Sequence, residues 1–128
     1  MCSSIKKLIK NNKLIVDGSH NEDGARVLNE YLQSLDCNKH VIISMMANKE
    51  HKKYISYFKN ISSITTIDLK TQPNSISGKD LKEKFKSMPN VQYQPSIEQA
   101  IKSINLKQGD LLLITGSLYG AAEALMLN

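Results

Sequence analysis

Three short stretches gather side chains of the kinds that bind small polar ligands. They are Asp17-Gly18-Ser19-His20-Asn21, Met45-Met46-Ala47-Asn48-Lys49-Glu50 and Thr115-Gly116-Ser117-Leu118-Tyr119-Gly120. In the first, Gly18 permits a sharp turn and Asn21 suits a helix cap. Asp17 offers a fixed acceptor for a hydroxyl pair such as that of a ribose, and His20 can donate to an anion. The second puts an amide and a cation in one turn. In the third, Gly116 lets backbone N–H groups and the Ser117 hydroxyl converge on a helix start, a setting for phosphate or carboxylate. Each stretch also has a plainer reading as caps and solvated helix starts, with Met45 and Met46 packing the sheet and His40 and His51 on the surface. No Ser/His/Asp triad, paired catalytic carboxylates or metal-ligand spacing can be read from these stretches. The phosphate loop G-x-x-x-x-G-K-[ST] and the fingerprint G-x-G-x-x-G are also missing from the sequence. Spacing alone supports a ligand-binding domain.

The elements around these turns follow from apolar patterning. Runs rich in Ile, Leu and Val at residues 14–17, 40–45, 64–69, 91–93 and 111–115 read as buried strands. Amphipathic patterns at 21–35, 49–60, 77–87, 96–104 and 117–127 read as helices, with Ser77 and Ser96 as caps. Ile5 to Ile9 reads as an added antiparallel edge strand, and 70–76 is the one long loop. Strict alternation of strand and helix predicts an α/β fold: a Rossmann-like, mostly parallel sheet with helices on both faces. Ligands of such sheets gather beyond the carboxyl ends of the strands, so the three polar turns should share one edge.

Composition narrows the class. The chain has 128 residues, a formal net charge of +5 and 41% hydrophobic residues, which fits one domain with a real core. Its basic residues are sixteen lysines and the single Arg26, scattered among separate elements and interleaved with Asp80 and Glu83 where they are densest. That is a solvated surface rather than a phosphate-tracking patch, so nucleic acid is not an expected partner. No apolar run has the length of a membrane span, and the start lacks the apolar core of a secretory signal, so no membrane association and a cytoplasmic location are expected. Cys2 and Cys37 are isolated and suggest neither a disulfide framework nor a zinc site.

With these residues in view, a resemblance emerges. Asp17-Gly18-Ser19-His20-Asn21 followed by Asp23-Gly24-Ala25-Arg26 resembles the Asp-Gly-Ala-His-Asn-Pro-Asp-Gly-Ala-Arg signature of folylpolyglutamate synthase and dihydrofolate synthase, in the Mur ligase superfamily. That signature opens the family's C-terminal domain. Met46-Ala47-Asn48-Lys49-Glu50, Pro73-Asn74-Ser75-Ile76-Ser77 and Gly116-Ser117-Leu118-Tyr119 resemble its later motifs in order, over roughly residues 13 to 126. Peptidoglycan Mur ligases tend to carry Tyr-Ala-His after the corresponding Asp, so Gly18-Ser19 points to the folate branch.

The resemblance implies an ADP-forming amide ligase of folate and one-carbon metabolism. In that family ATP activates a carboxylate as an acyl phosphate, and the amine of an incoming amino acid attacks it. Carried over, Asp17 would bind the nucleotide, His20 and Ser117 the glutamate, and Asn21 and Tyr119 would support them; no catalytic residue and no metal ligand is implied in this chain. The substrates would be glutamate and a folate or dihydropteroate. ATP would be shared with a central ATPase domain that holds Mg²⁺, expected here as a separately encoded partner chain, so that this chain alone is inactive. Residues 1–128 are expected to form one Mur ligase C-terminal-like domain, with 1–12 an edge strand or a remnant of an interdomain linker. The sequence departs from the family at Glu22, which stands where the signature has Pro, and at residues 1–13, which hold no match to its Gly-Arg-Leu segment. A stand-alone binding module, or an inactive remnant of the ligase, is the alternative reading.

Overall fold

Each apolar run, three to six residues long, is too short to be stable alone and too apolar to face water, so the runs pair with one another in a sheet covered on its faces. In the structure, a computed structural model that describes residues 8–10, 12–19 and 21–127, they form one sheet. Its strands are β1 (Lys13–Val16), β2 (Lys39–Ile43), β3 (Ser63–Thr66), β4 (Val91–Tyr93) and β5 (Leu111–Thr115). The spatial order is β1-β5-β2-β3-β4, and every pairing is parallel. The last strand therefore lies between the first and the second, with Leu113 paired to Ile15 on one side and Val41 on the other.

Helices α1 (Glu22–Gln33), α2 (His51–Ser56), α3 (Gly78–Lys84), α4 (Ile97–Ser103) and α5 (Leu118–Leu125) connect and follow the strands. Side chains alternate across a strand, which splits the core in two. Val41, Ile43, Leu111 and Leu113 pack with Leu28 and Leu32 of α1, Tyr54 of α2 and Leu81 of α3. Ile42, Leu112 and Ile114 face the other way, onto Ile97 and Ile101 of α4 and Ala124 of α5. Serine or asparagine starts four of the helices: Asn21 Oδ1 accepts from the Gly24 N–H, and Ser77, Ser96 and Ser117 accept from Asp80, Gln99 and Tyr119.

Two expectations need correction. Helix α2 is half the length its pattern suggests. Lys49 and Glu50 stay in the turn, with no side-chain cap on Glu50. Beyond Ser56 the chain tightens until the Lys59 N–H is taken by Asn29 Oδ1 of α1 and Asn60 adopts φ 56°. The expected edge strand at Ile5 to Ile9 lies partly outside the described residues, and the part that is described is no strand. Leu8 is helical, and the Asn12 N–H donates to the Ile9 carbonyl across a turn containing Lys10 at φ 54°. The apolar pull on this segment is toward a face of the sheet, where Ile9 is buried with Leu112 and Ile114, and not toward its edge.

At the amino ends of the central strands, partly buried polar groups pair with each other around the buried Asp110. His40 Nδ1 is 2.7 Å from Ser63 Oγ, and His40 Nε2 is 3.2 Å from Asp110 Oδ2. Asp110, 5% exposed, also accepts from the Lys107 N–H at 3.0 Å. Burial alone would raise the pKa of this carboxyl, but the Lys107 N–H, His40 and Asn38 together hold it below the usual carboxylate value.

Two outcomes follow for stability. A carboxyl whose folded pKa is depressed contributes stability above its unfolded value, and that contribution disappears as pH falls through the folded value. Urea midpoints should therefore drop as pH is lowered below about 4, with a shallower drop in Asp110→Asn; equal slopes for both proteins would refute the assignment. The second outcome concerns Gly116, at φ +100°, where a Cβ would crowd the Ser44 carbonyl and come within 2.7 Å of Ile43 Cγ1. Strain and overpacking together predict that Gly116→Ala costs about 3 kcal/mol in urea unfolding.

Candidate functional site

The strand order decides which turns meet. Because β1, β5 and β2 are neighbours and parallel, the turns that follow them leave the sheet side by side on its carboxyl edge. The Asp17 N–H donates to the Ile114 carbonyl at 2.9 Å, which holds the first turn against the end of β5. A Cβ on Gly18 would sit 3.0 Å from Leu118 Cδ1, so the first and third turns are in contact. The second turn is fixed from two directions. His51 Nε2 donates to the Met46 carbonyl at 2.9 Å. The loop at 70–76 clips the turn by an antiparallel bridge between Met46 and Ser75, with the Ala47 N–H donating to the Asn74 carbonyl.

Two adjoining clefts result. One of about 330 Å³ is lined by Met46, Asn48, Lys49, Ser117, Leu118 and Tyr119. The other, about 160 Å³, runs between Asn21, Glu22, Asn48, Lys49, Glu50 and Tyr54. A larger hollow of about 570 Å³ opens at the opposite edge of the sheet near Lys10 and Gln108, but none of the three polar turns reaches it. Volume and chemistry disagree here, and the chemistry is the better guide because strand-end turns converge only on the carboxyl edge.

Individual side chains are more committed than their types suggest. Asp17 Oδ1 accepts the Ser19 N–H at 2.6 Å, which shapes the turn and leaves Oδ2 as the second acceptor. Asn21 caps α1. Ser117 is 2% exposed, and its oxygen accepts the Tyr119 N–H at 3.0 Å, so its hydroxyl hydrogen is what it has to offer a ligand. Tyr119 stands 45% exposed at the cleft mouth. His20 lies outside the described residues. Asn48 and Lys49 line both clefts, although the plainer reading of Lys49 is a solvated helix start. Their position on the second of three converging turns was the signal for them.

Tyr54 was missed because it reads as one more apolar position of α2. Its ring is buried and meets Phe58 edge-on at 5.5 Å between centroids. Its hydroxyl lies 2.6 Å from Thr115 Oγ1 and 3.0 Å from Ser19 Oγ, and donates to the Ser19 carbonyl at 3.2 Å. One phenol thereby ties the first turn to the third from beneath the second. Burial raises its pKa above the ordinary tyrosine value, against the opposing pull of the Ser19 and Thr115 hydrogen bonds.

An open parallel sheet that gathers a carboxylate, a cation and a capped helix start beyond three adjacent strand ends defines an α/β domain of the class whose ligands gather at that edge. More particularly, the chain belongs to the Mur ligase, glutamate ligase domain family, whose model matches residues 5–118. Its fold is shared with folylpolyglutamate synthase from Thermotoga maritima, with a TM-score of 0.78 at 20% identity over 91% of this chain and 27% of that one. The Escherichia coli FolC structure with DHPP and ADP gives 0.77 at 22% identity, over 89% of this chain and 28% of FolC. Mycobacterium tuberculosis folylpolyglutamate synthase, solved with ADP and AMPPCP, gives 0.74 at 19% identity, over 88% and 29%. This chain spans less than a third of the length of each of these proteins. No curated protein matches it in sequence.

Removing the Tyr54 hydroxyl should leave Thr115 Oγ1 and the Ser19 groups without their buried partner. Tyr54→Phe is expected to lose about 1–2 kcal/mol in urea unfolding. It should also move amide resonances in both the 17–19 and 115–117 segments. Shifts confined to α2 would show that the phenol does not couple the turns.

Proposed function

We propose that this chain acts as the C-terminal part of an ATP-dependent amide ligase that adds glutamate to a folate or dihydropteroate. What carries the reading is the convergence of the three motif-bearing turns on one edge, within a chain that belongs to a glutamate ligase domain family. In this reading residues 1–128 are one domain, working with a central ATPase domain that holds Mg²⁺ and the phosphates, and the setting is the cytoplasm. Among the described residues no helix is long and apolar enough to cross a membrane.

The donor set fits a ribose and an amino-acid carboxylate. Asp17 Oδ2 can accept from ribose hydroxyls, while Lys49, between the two clefts, supplies positive charge. Ser117 can donate to a carboxylate while its oxygen keeps the Tyr119 N–H, and the start of α5 adds partial positive charge. His20, adjacent to Ser19 in sequence, is the second glutamate contact, with Asn21 and Tyr119 in support. ATP, when bound across both domains, supplies activation of the acceptor carboxylate for attack by the glutamate amine. The work of this chain is to hold that amine in line and to exclude water from the closed site.

By itself the carboxyl edge offers only part of the contact area of such a site. Binding of ADP or glutamate to the chain alone should have a dissociation constant of roughly 1 mM, or about 4 kcal/mol. NMR titration should show shifts centred on residues 17–21, 46–50 and 116–119. Asp17→Ala should weaken ADP, and His20→Ala and Ser117→Ala should weaken glutamate. Shifts that centre elsewhere, or that survive all three substitutions, would favour the stand-alone module or inactive remnant.

A further inference from the structure

The opposite edge of the sheet holds a constellation that the ligase reading does not use. Ser63, His40 and Asp110 sit at the amino ends of β3, β2 and β5, which the sheet order makes consecutive neighbours. They form a continuous hydrogen-bonded chain, with Ser63 Oγ 2.7 Å from His40 Nδ1 and His40 Nε2 3.2 Å from Asp110 Oδ2. Ionised Asp110 can only accept, so His40 Nε2 carries a proton in this pair. In the neutral imidazole Nδ1 is then a lone pair, and Ser63 Oγ–H is the donor that faces it. The side chains of His40 and Asp110 are 14% and 7% exposed, so the base and its orienting carboxylate are shielded from water. Ser63 is half-buried and opens, with His40, onto a cleft of about 350 Å³ that Asn90, Gln92, Ser103 and Asn105 also line.

Three requirements of an activated serine are met together: a base in hydrogen-bond contact with the hydroxyl, a carboxylate fixing the tautomer of that base, and open space at the nucleophile. We propose that Ser63 is a nucleophile toward small esters with good leaving groups, with His40 as its base and Asp110 as the positioning residue for His40. In the first step Ser63 Oγ attacks the ester carbonyl carbon and its proton passes to His40 Nδ1. The carbonyl re-forms as the bond to the leaving oxygen breaks, and His40 returns the proton to that oxygen. The products are Ser63 acyl ester and free alcohol, with His40 again neutral. Asp110 stays ionised throughout and stabilises the imidazolium between the two transfers.

The backbone around Ser63 sets the limit on this reaction. The flanking amides of Ser62 and Ile64 already donate to the carbonyls of Lys39 and Asn90. Neither can serve as an oxyanion donor, a contribution commonly worth about 10²–10³ in rate. The expected behaviour is stoichiometric acylation rather than rapid turnover, and this selects for substrates that need little help in expelling their leaving group.

The test is covalent labelling of the full chain with diisopropyl fluorophosphate, in which Ser63 Oγ displaces fluoride from phosphorus. Intact-mass analysis and peptide mapping should find one adduct, on Ser63. Ser63→Ala should abolish it, and His40→Gln and Asp110→Asn should each slow it about tenfold or more. Circular dichroism melting curves establish that each variant is folded. Should Asp110→Asn or His40→Gln fail to fold, the site is decided by Ser63→Ala and by pre-incubation with p-nitrophenyl acetate, which should block the Ser63 adduct. Absence of an adduct, an adduct that persists in Ser63→Ala, or labelling at equal rate in folded Asp110→Asn would overturn the proposal and leave the triad a purely structural tie between strands. Loss of ADP or glutamate binding at the carboxyl edge would leave this proposal untouched.

Discussion

Everything at the carboxyl edge depends on where β5 lies. It is buried on both faces and paired along both sides, to β1 and β2, although it comes last in the chain. Were β5 at an edge, the turn after β1 and the turn after β2 would be direct neighbours, and the Gly116-Ser117 turn would stand apart from one of them. Inserted between them, it brings a capped helix start into contact with a carboxylate turn on one side and a cation turn on the other. The insertion demands a close crossing. Gly116 passes the Ser44 carbonyl and Ile43 with no room for a Cβ, and Gly120, one turn into α5, lies against Ser44 Oγ.

The buried hydroxyls beneath the edge then convert proximity into fixed geometry. A polar group inside an apolar core is costly unless paired, and buried Tyr54 and Thr115 satisfy each other, with half-buried Ser19 as a further partner, at the point where three elements meet. The second turn has its own restraints in His51 and the bridge to Ser75. In the proposed site, the groups assigned to a ligand, Asp17 Oδ2, Lys49 and the Ser117 hydroxyl, would thus be carried on a preset frame. Little ordering remains to be done when a ligand arrives, which matters where the contact area is small.

The strands and the shared edge were legible in the sequence because buried parallel strands have a simple signature, and the turns after them are where Gly, Asp, Asn and Ser are noticed. Caps were legible too, since Asn21, Ser77, Ser96 and Ser117 act within three residues of themselves. Helix α2 was overextended because its end is set by α1, through Asn29, about thirty positions away. The same distance in sequence hid Tyr54, whose partners lie 35 and 61 residues off, and the Ser63–His40–Asp110 chain, whose links span 23 and 70. Local spacing carries no trace of contacts that only the sheet order creates. Asp17 and Ser117 are legible as turn residues, but their partial commitment to the backbone depends on how the turns place the Ser19 and Tyr119 amides.

Strand β4 has only three residues, Val91–Tyr93, and it is the outer neighbour of β3. Pro89 and Pro95 bracket it, Asn90 turns the chain at φ 58°, and Gln92 is drawn inward to Thr65 and Ser103. A foreign strand docking there would find few amide groups in register before meeting a proline that cannot donate. The sheet is therefore blunted against polymerisation on that side. In a crowded solution, this brevity is a safeguard against one molecule extending the sheet of the next.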